Sequence, residues 1–333
     1  DPEGVASVSL EYQIVVPGSY IPAFLPHTVS GGRIQGFENP RNENPAYDDG
    51  ANWTTVTMVD DGTGADALAG DDIYSVQVPG QPHRHLVRYR ITVEDGLGLD
   101  ARCPYPDDAS LNFAYFHYDG VPDYNGHPAA DLTQIPVYHI LTRAQDWSEC
   151  YAWNNSSQQI GQGGEDRFYY NWNGTIVYDG VVYDNIRYRL RGANGRYQLN
   201  GKRHMRFRLN DGYFLQAHDI DGNEYDEKWR TLTTHRNFGN RLTITHSLND
   251  AVNMRLFRSM GVHAQYTGWM HMRVIDGADE APDQWNGAFW GLQGVLETYD
   301  VRFLDEHDIP KGNLYKLINQ TTDWERQQRY QHA

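Results

Sequence analysis

A run of cationic residues in the middle of the chain is the feature best suited to chemistry. Eight of the 28 Lys and Arg residues lie between Arg187 and Arg208, and no Asp or Glu interrupts them. A guanidinium group binds phosphate oxygens through a planar fork of N–H donors, so the run suggests a site for a polyphosphate such as ATP. The chain also carries 44 acidic residues and a net charge of −16. A solvated or acid-paired sheet surface is therefore the alternative.

Residue alternation places these cations on one side of a predicted hairpin. In residues 187–191 arginines alternate with Tyr188 and Leu190, and cationic and apolar residues alternate in the same way in residues 204–209. Successive side chains of a β-strand point to opposite faces of the sheet. We therefore predict two paired strands, Ile186–Leu190 and Met205–Leu209, which share a basic face above an apolar one.

An acidic loop near the front of the chain is a weaker candidate site. Its five aspartates are Asp60, Asp61, Asp66, Asp71 and Asp72. Hard cations such as Ca²⁺ take several carboxylate oxygens, which makes the loop a calcium candidate. Its spacing is not that of an EF-hand. Ordinary turn chemistry, in which Asp side chains accept hydrogen bonds from nearby backbone N–H groups, is the interpretation that we favour.

The chain has two cysteines, Cys103 and Cys150. Two are too few for a disulfide scaffold or a four-ligand zinc site. They either form one disulfide across the predicted domain boundary, in an oxidising compartment, or remain two buried thiols. The sequence also lacks a Gly-x-x-x-x-Gly-Lys-Ser/Thr phosphate loop, a His-Glu-x-x-His zinc motif and a Gly-x-Ser-x-Gly elbow.

The composition argues against several classes of protein. An excess of acidic over basic residues repels a phosphate backbone, so we expect no nucleic-acid partner. No stretch approaches the roughly 20 apolar residues of a membrane span. The 23 tyrosines and the low lysine content are typical of extracellular proteins, so we expect a secreted or cell-surface location. At roughly 150 residues per domain, the length of the chain predicts two domains.

The order of predicted elements indicates an α+β, β-rich fold. Residues 1–102 predict an antiparallel β-sandwich of the immunoglobulin or fibronectin kind, with strands such as Leu86–Glu94 in which apolar and polar residues alternate. Residues 103–165 are rich in Pro, Asp, Asn and Gly, and we expect a linker with long loops there. Residues 166–333 mix strands and helices and form the second predicted domain.

Capping residues predict two helices in this second part. One is expected over Ala251–Met260, with Asn249 or Asp250 as its N-terminal cap and Gly261 after its last turn. The other is expected over Val301–Glu306, capped by Thr298 or Asp300.

Four blocks of the second part resemble the CotH family, the spore-coat protein kinases. Arg191-Gly-Ala-Asn194 with Lys202-Arg-His-Met-Arg-Phe-Arg208 is similar to the family's Arg-Gly-Asn … Lys-Lys-Ser-Tyr-Arg-Leu. Asp250-Ala-Val-Asn-Met-Arg255 resembles its Asp-x-x-Leu-x-Arg helix start. The segment 286–297 resembles its Asn-Gly-x-Tyr-x-Gly-x-Tyr-x-Leu-x-Glu block, and Gly312-Asn-Leu-Tyr-Lys316 matches its Gly-Asn-Leu-Tyr-Lys. The front region also resembles the β-sandwich modules found beside extracellular CotH domains.

The resemblance implies an atypical kinase that uses ATP and a divalent metal such as Mg²⁺ to phosphorylate secreted or coat proteins. By matched position, Lys202, Arg206 and Arg208 would face the nucleotide phosphates, and Arg191 would lie beside them at the hairpin turn. Glu297 would orient a cation there, as in the Lys–Glu pair of ordinary kinases. The implied partner is a protein substrate.

The second half of the family pattern is missing from these 333 residues. The family's Asn-x-Asp catalytic segment and its Pro-Trp-Asp metal-binding segment follow the block that ends at Glu297, and this sequence contains neither. Phosphoryl transfer needs one carboxylate to hold the metal and another to orient the attacking hydroxyl. We therefore expect the N-terminal portion of a CotH kinase-like domain, inactive by itself. The alternative is a non-catalytic structural, filament-forming or adhesive extracellular protein that self-assembles and uses the fold as a scaffold.

Overall fold

The fold is α+β and β-rich, as the sequence predicts. The computed structural model describes residues 4–26, 29–30, 33–34, 42–152, 171–191, 202–219, 221–236, 246–283, 285, 287–317 and 327–331. None of the helices in these ranges is long and apolar enough to cross a membrane.

The front part of the chain is built on β-strands and a few short helical turns. In chain order its elements are β1 (Val5–Val15), β2 (Phe24–Leu25), β3 (Val29–Ser30), β4 (Arg33–Ile34), β5 (Asn42–Glu43), α1 (Pro45–Asp48), a 3₁₀ turn (Gly50–Asn52), β6 (Thr54–Met58), β7 (His85–Asp95), β8 (Asp100–Cys103), β9 (Phe113–His117) and α2 (Ala129–Leu132). The main sheet has the order β6-β1-β7-β8, and β9 also pairs with β7. All of these pairs are antiparallel.

The two faces of this sheet have different neighbours. Leu86 packs with residues of the second part of the chain, including Leu141 and Ile275. Val87 points the other way and packs with Tyr12 in a separate cluster. Adjacent strand residues point to opposite faces, and this alternation is the one that the sequence predicts for the strand.

The second part of the chain contains a closed barrel, together with helices and a separate two-stranded sheet. Its elements are β10 (Val137–Leu141), α3 (Ala144–Ala152), β11 (Trp172–Tyr178), β12 (Val181–Leu190), β13 (Met205–Arg208), β14 (Thr231–Arg236), α4 (His246–Ser259), β15 (Thr267–Ile275), β16 (Phe289–Leu296), α5 (Val301–Glu306), β17 (Leu314–Leu317) and β18 (Gln327–Gln331). The barrel order is β10-β11-β12-β13-β14-β16-β15. β10 closes the barrel by pairing with β15 in parallel.

Large apolar side chains fill the barrel. Its interior cluster includes Trp172, Phe207 and Met272, and α3 adds Trp147 and Cys150. Burial of this apolar surface is the main source of its stability.

Three expectations about the elements need correction. The segment 103–165 is not only a linker, because Phe113–His117 belongs to the front sheet and Val137–Leu141 to the barrel. Among the described residues the front part has one large sheet rather than two facing sheets, and the barrel packs against one side of it.

The helix predicted to start after Asn249 or Asp250 begins earlier, at His246, so neither residue precedes its first turn. It ends as predicted, before Gly261 at φ 81°. The helix over Val301–Glu306 is confirmed, and the Asp300 side chain caps it by accepting a hydrogen bond from the Arg302 N–H.

Candidate functional site

The basic hairpin forms as the alternation predicts. β12 and β13 pair so that Arg187 lies opposite Arg208 and Arg189 lies opposite Arg206. Paired residues on adjacent strands share a face. We call the surface made by these four arginines the basic barrel face.

The other side of the hairpin is the barrel core. Tyr188, Leu190, Met205, Phe207 and Leu209 are all buried and belong to the interior cluster. The basic barrel face is therefore the outer wall of the barrel at β12 and β13, and its position is fixed by the burial of the alternate residues.

Arg208 is the most electrostatically crowded residue of this face. Its pKa is lowered to about 10, first by burial and then by the neighbouring charges of Arg230 and Arg187. Its Nε is buried and has no hydrogen-bond partner. The nearest carboxylate oxygen, on Asp211, is 4.0 Å from Arg208 and 3.0 Å from Arg230. Like charges directly opposite each other on a sheet cost free energy, so an anion placed here would be favoured.

A second carboxylate lies close to the basic barrel face. Burial raises the pKa of Asp300, and the charges of Arg206 and Arg208 act against that rise. Asp300 also caps α5, which fixes it near the arginines. The acid-paired alternative therefore has two candidate carboxylates, Asp211 and Asp300.

Arg191 and Lys202 lie farther along the same hairpin. Arg191 Nη1 is 3.4 Å from the carbonyl oxygen of Thr234, to which it donates. Lys202 is 3% exposed, and its ammonium donates to the carbonyl of Leu292 on β16. Burial lowers the pKa of Lys202 to about 8.

Glu297 does not lie beside Lys202, so the Lys–Glu pair that the family resemblance implies is not formed. The Glu297 carboxylate accepts from the backbone N–H of Tyr266 at 2.9 Å and lies 2.9 Å from His307 Nε2. Burial raises its pKa, and His307 opposes the rise. Lys202 contacts Leu292, which lies five residues before Glu297. Along an extended strand, five residues separate the two backbone positions by roughly 16 Å. Glu297 therefore joins β16 to α5 instead of serving the basic barrel face.

The acidic loop is only partly assembled as a cation site. Ligand atoms of Asp60, Asp66 and Asp71 lie within 4.8 Å of one another, and Asp61 and Asp72 are not part of that group. The Asp60 carboxylate accepts hydrogen bonds from the backbone N–H groups of Gly70, Asp71 and Asp72. These bonds are the turn chemistry that the sequence favours.

The two cysteines are free thiols, so the disulfide alternative is wrong. Cys150 is buried in the barrel cluster, whereas Cys103 ends an edge strand of the front sheet and is exposed. The two-buried-thiols alternative is therefore correct for Cys150 only.

The structure also assembles a polar cluster that the sequence did not indicate. The Glu280 carboxylate lies 2.7 Å from His83 Nε2, 2.7 Å from Arg273 Nη2 and 3.8 Å from Arg84 Nε. Tyr118 Oη donates to it at 3.4 Å. His83 and Glu280 are 197 positions apart, so no local pattern could have revealed this contact.

Two buried histidines lie beside the same cluster. His139 is the strand neighbour of Arg273, and His271 lies two residues before Arg273 on β15. The Nε2 atoms of His139 and His271 are buried without a partner. His271 Nδ1 is 3.1 Å from the carbonyl of Leu132, and a carbonyl only accepts, so Nδ1 carries the proton.

The comparisons with known proteins return no match. No protein-family model matches the chain, and no curated protein or solved structure is significantly similar to it.

Proposed function

We propose that this chain supplies the nucleotide-phosphate-binding portion of a secreted, CotH-like atypical protein kinase. The family motifs and the basic barrel face support this proposal. In this proposal the arginines of β12 and β13 hold the phosphates of ATP. Other residues supply the catalytic carboxylates, and a separate protein substrate supplies the hydroxyl group that accepts the phosphoryl group.

The observation that carries the proposal is the environment of Arg208. Its guanidinium is half-buried beside Arg187 and Arg230, and its buried Nε–H has no acceptor. A polyphosphate supplies several anionic acceptor oxygens at once, and charge-assisted hydrogen bonds of this kind are about twice as strong as neutral ones. A triphosphate against the exposed part of this guanidinium therefore relieves the charge repulsion among the arginines.

The residues of the face fit a nucleotide phosphate better than they fit a metal. Guanidinium and ammonium groups provide only donors, and Mg²⁺ requires oxygen ligands. Glu297, which the resemblance places near Lys202, is bound to His307. When bound, ATP and Mg²⁺ would supply the transferable phosphoryl group and its charge neutralisation. The described residues of this chain bind and orient the phosphates.

Charge reversal on the face tests the proposal. We expect Arg206→Glu and Arg208→Glu each to lower the affinity for MgATP at least tenfold, measured by calorimetry at fixed ionic strength. Arg255→Glu on α4 is the matched control, because Arg255 is exposed and the change in net charge is the same. Lys202 is buried and is left unchanged so that the fold is kept.

Equal affinity in the wild type and both face variants would refute phosphate binding at this surface. An equal loss in Arg255→Glu would show that only net charge matters. Circular dichroism and the melting temperature establish that each variant is folded.

The second candidate function is a non-catalytic, extracellular scaffold. The contact between Glu297 and His307 favours this function. It uses, in holding the fold together, the carboxylate that a kinase would place beside the nucleotide. In this case Asp211 and Asp300 neutralise the basic barrel face. The scaffold predicts that MgATP does not bind and that the purified protein forms oligomers in light scattering.

A further inference from the structure

A β-bulge in β12 decides which side of the barrel wall its arginines occupy. Between Tyr183 and Ile186, β12 has one residue more than the stretch of β11 that it faces. The extra residue belongs to the pair Asp184 and Asn185, and Asn185 adopts a left-handed backbone conformation with φ 53°. An extra residue in one strand of an antiparallel pair is a β-bulge, which interrupts the hydrogen-bond ladder and bends the strand.

The bulge reverses the side-chain alternation of β12. Tyr183, before the bulge, belongs to the interior cluster of the barrel, and the interior residues after the bulge are Ile186, Tyr188 and Leu190. Without the extra residue, alternation from Tyr183 would point Arg187 and Arg189 into the barrel, because a shift of one residue moves each later side chain to the other face. The basic barrel face therefore depends on the bulge.

The front part of the chain holds the first residue of the bulge. Arg88 of β7 donates to both carboxylate oxygens of Asp184, and Asn112, just before β9, donates to one of them. The Arg88 side chain is fully buried, and that of Asp184 is nearly so. Solvent is therefore not at hand to replace these donors.

The second residue of the bulge is held from the same side. Asn185 Nδ2 lies 3.0 Å from Asn112 Oδ1 and 3.3 Å from Tyr47 Oη. All three residues are buried. A left-handed backbone at a residue other than glycine costs free energy and persists only where its surroundings hold it. Asn112 thus bonds both residues of the bulge.

The bulge is also bonded to the second strand of the basic hairpin. Asn210 follows β13 by two residues, and its Nδ2 donates to the backbone carbonyl of Asp184 at 2.9 Å. The nearest pair of the β12–β13 ladder is Arg187 with Arg208. Asp184 therefore connects the front sheet to the register of both strands that carry the arginines.

We infer that Arg88 and Asn112 are positioning residues for the basic barrel face. By holding the bulge, the front part of the chain keeps the arginines of β12 on the outer wall, opposite those of β13. Neither residue belongs to the face itself. The inference rests on the proposed function only in taking phosphate binding as the purpose of the face. The front part is then a component of the phosphate site and not a separate module.

Asn112→Ala tests whether the front part holds the bulge. The change removes a partner of Asp184 and a partner of Asn185 and leaves the arginines in place. Native-state hydrogen exchange, followed by mass spectrometry, compares the β12–β13 ladder with the β15–β16 ladder. We expect Asn112→Ala to accelerate exchange at least ten times more in β12 and β13 than in β15 and β16.

His83→Ala is the matched control. It also breaks a contact between the front part and the barrel, but that contact is with Glu280, in the loop after β15, and not with the bulge. We expect no selective acceleration in β12 and β13 for this variant.

The affinity for MgATP separates a positioning role from a purely structural one. Calorimetry at a temperature where every variant is folded should show at least a tenfold loss in Asn112→Ala and less than a twofold loss in His83→Ala. Asn185→Gly and Asn185→Val form a second pair, because glycine adopts a positive φ freely and a β-branched residue does not. We expect Asn185→Val to lose at least tenfold and Asn185→Gly to stay within threefold of the wild type.

Equal acceleration of the two ladders in Asn112→Ala overturns the inference, and so does wild-type affinity for MgATP in that variant. Equal affinities of Asn185→Gly and Asn185→Val overturn it as well. If Asn112→Ala does not fold, the Asn185 pair decides by the same two measurements. A wild type that does not bind MgATP refutes the proposed function instead, and the exchange ratio alone then decides whether the front part holds the bulge.

Discussion

Arg88 and Asp184 form a bidentate ion pair that is buried between the front sheet and the barrel. Arg88 Nε lies 2.7 Å from Asp184 Oδ2, and Nη2 lies 3.1 Å from Oδ1. The Arg88 side chain is fully buried and that of Asp184 is 4% exposed. Arg88 also donates to the Gln13 side chain and to the carbonyl of Ile21. Asp184 also accepts hydrogen bonds, from the side chains of Asn112, Thr175 and Tyr20 and from the backbone N–H of Asn185. Because Arg88 belongs to β7 and Asp184 to β12, the pair satisfies both charges only when the sheet is docked on the barrel.

Removing one partner of this pair is expected to be costly. Arg88→Met leaves the Asp184 carboxylate buried without its cation, and we expect a loss of about 3–5 kcal/mol in the free energy of unfolding. Arg88→Met/Asp184→Asn removes both charges and should recover part of that loss. Urea denaturation of the two single variants and the double variant measures the coupling. Strictly additive losses would show that the two side chains do not stabilise each other.

Acid is expected to destabilise the fold through His139, which packs against Phe116 of the front sheet, and through His271, which is bonded to the carbonyl of Leu132. Burial lowers the pKa of His139 to about 3 and that of His271 to about 4, and the charge of Arg273 adds to both shifts. The unfolded value is about 6.5. Each histidine therefore favours the folded state fully above pH 6.5, and this contribution is lost as the pH falls from 6.5 towards the two folded values.

The comparison of wild type with His139→Asn/His271→Asn isolates this effect. Carboxylates titrate in the same range in both proteins, so the difference between the two unfolding free energies reports the histidines. We expect the wild type to lose stability more steeply between pH 6.5 and 4. Parallel curves would mean that the two histidines are not buried in their neutral form.

Glu297 is expected to be unimportant for nucleotide binding, because it contacts His307 and not Lys202. Glu297→Gln keeps an acceptor for the Tyr266 N–H, so the fold should be retained. The affinity for MgATP, measured by calorimetry, should stay within about twofold of the wild-type value. A loss as large as that in Arg206→Glu would restore the Lys–Glu pair implied by the family resemblance.

The Asp60 side chain is expected to stabilise its loop without calcium. Asp60→Ala would remove the acceptor of three exposed backbone N–H groups, which water can then bond, so we expect a loss of about 0.5–1.5 kcal/mol in the free energy of unfolding. Thermal unfolding in EDTA and in CaCl₂ should show the same loss. If Asp60→Ala lowers the melting temperature only in CaCl₂, the loop is a calcium site and not a turn.

Local patterns are enough to predict much of the barrel wall. The two-residue alternation in residues 187–191 and 204–209 places the arginines on one face and the core on the other, because strand geometry fixes that period. Asp300 and Gly261 mark helix ends correctly, since capping depends on the nearest backbone groups. The strand Phe113–His117 escapes prediction because four of its five residues are apolar or aromatic and show no such alternation.

Contacts between distant residues depend on the tertiary structure. Arg88 and Asp184 are 96 positions apart, and His83 and Glu280 are 197 apart. The family resemblance matches Lys202 and Glu297 to a pair of motif residues that would lie side by side. In the barrel they lie at different heights, because strand register is set by the packing of whole sheets. Which side chains share a face thus follows from the local sequence, whereas which charges meet follows from how the sheet and the barrel pack.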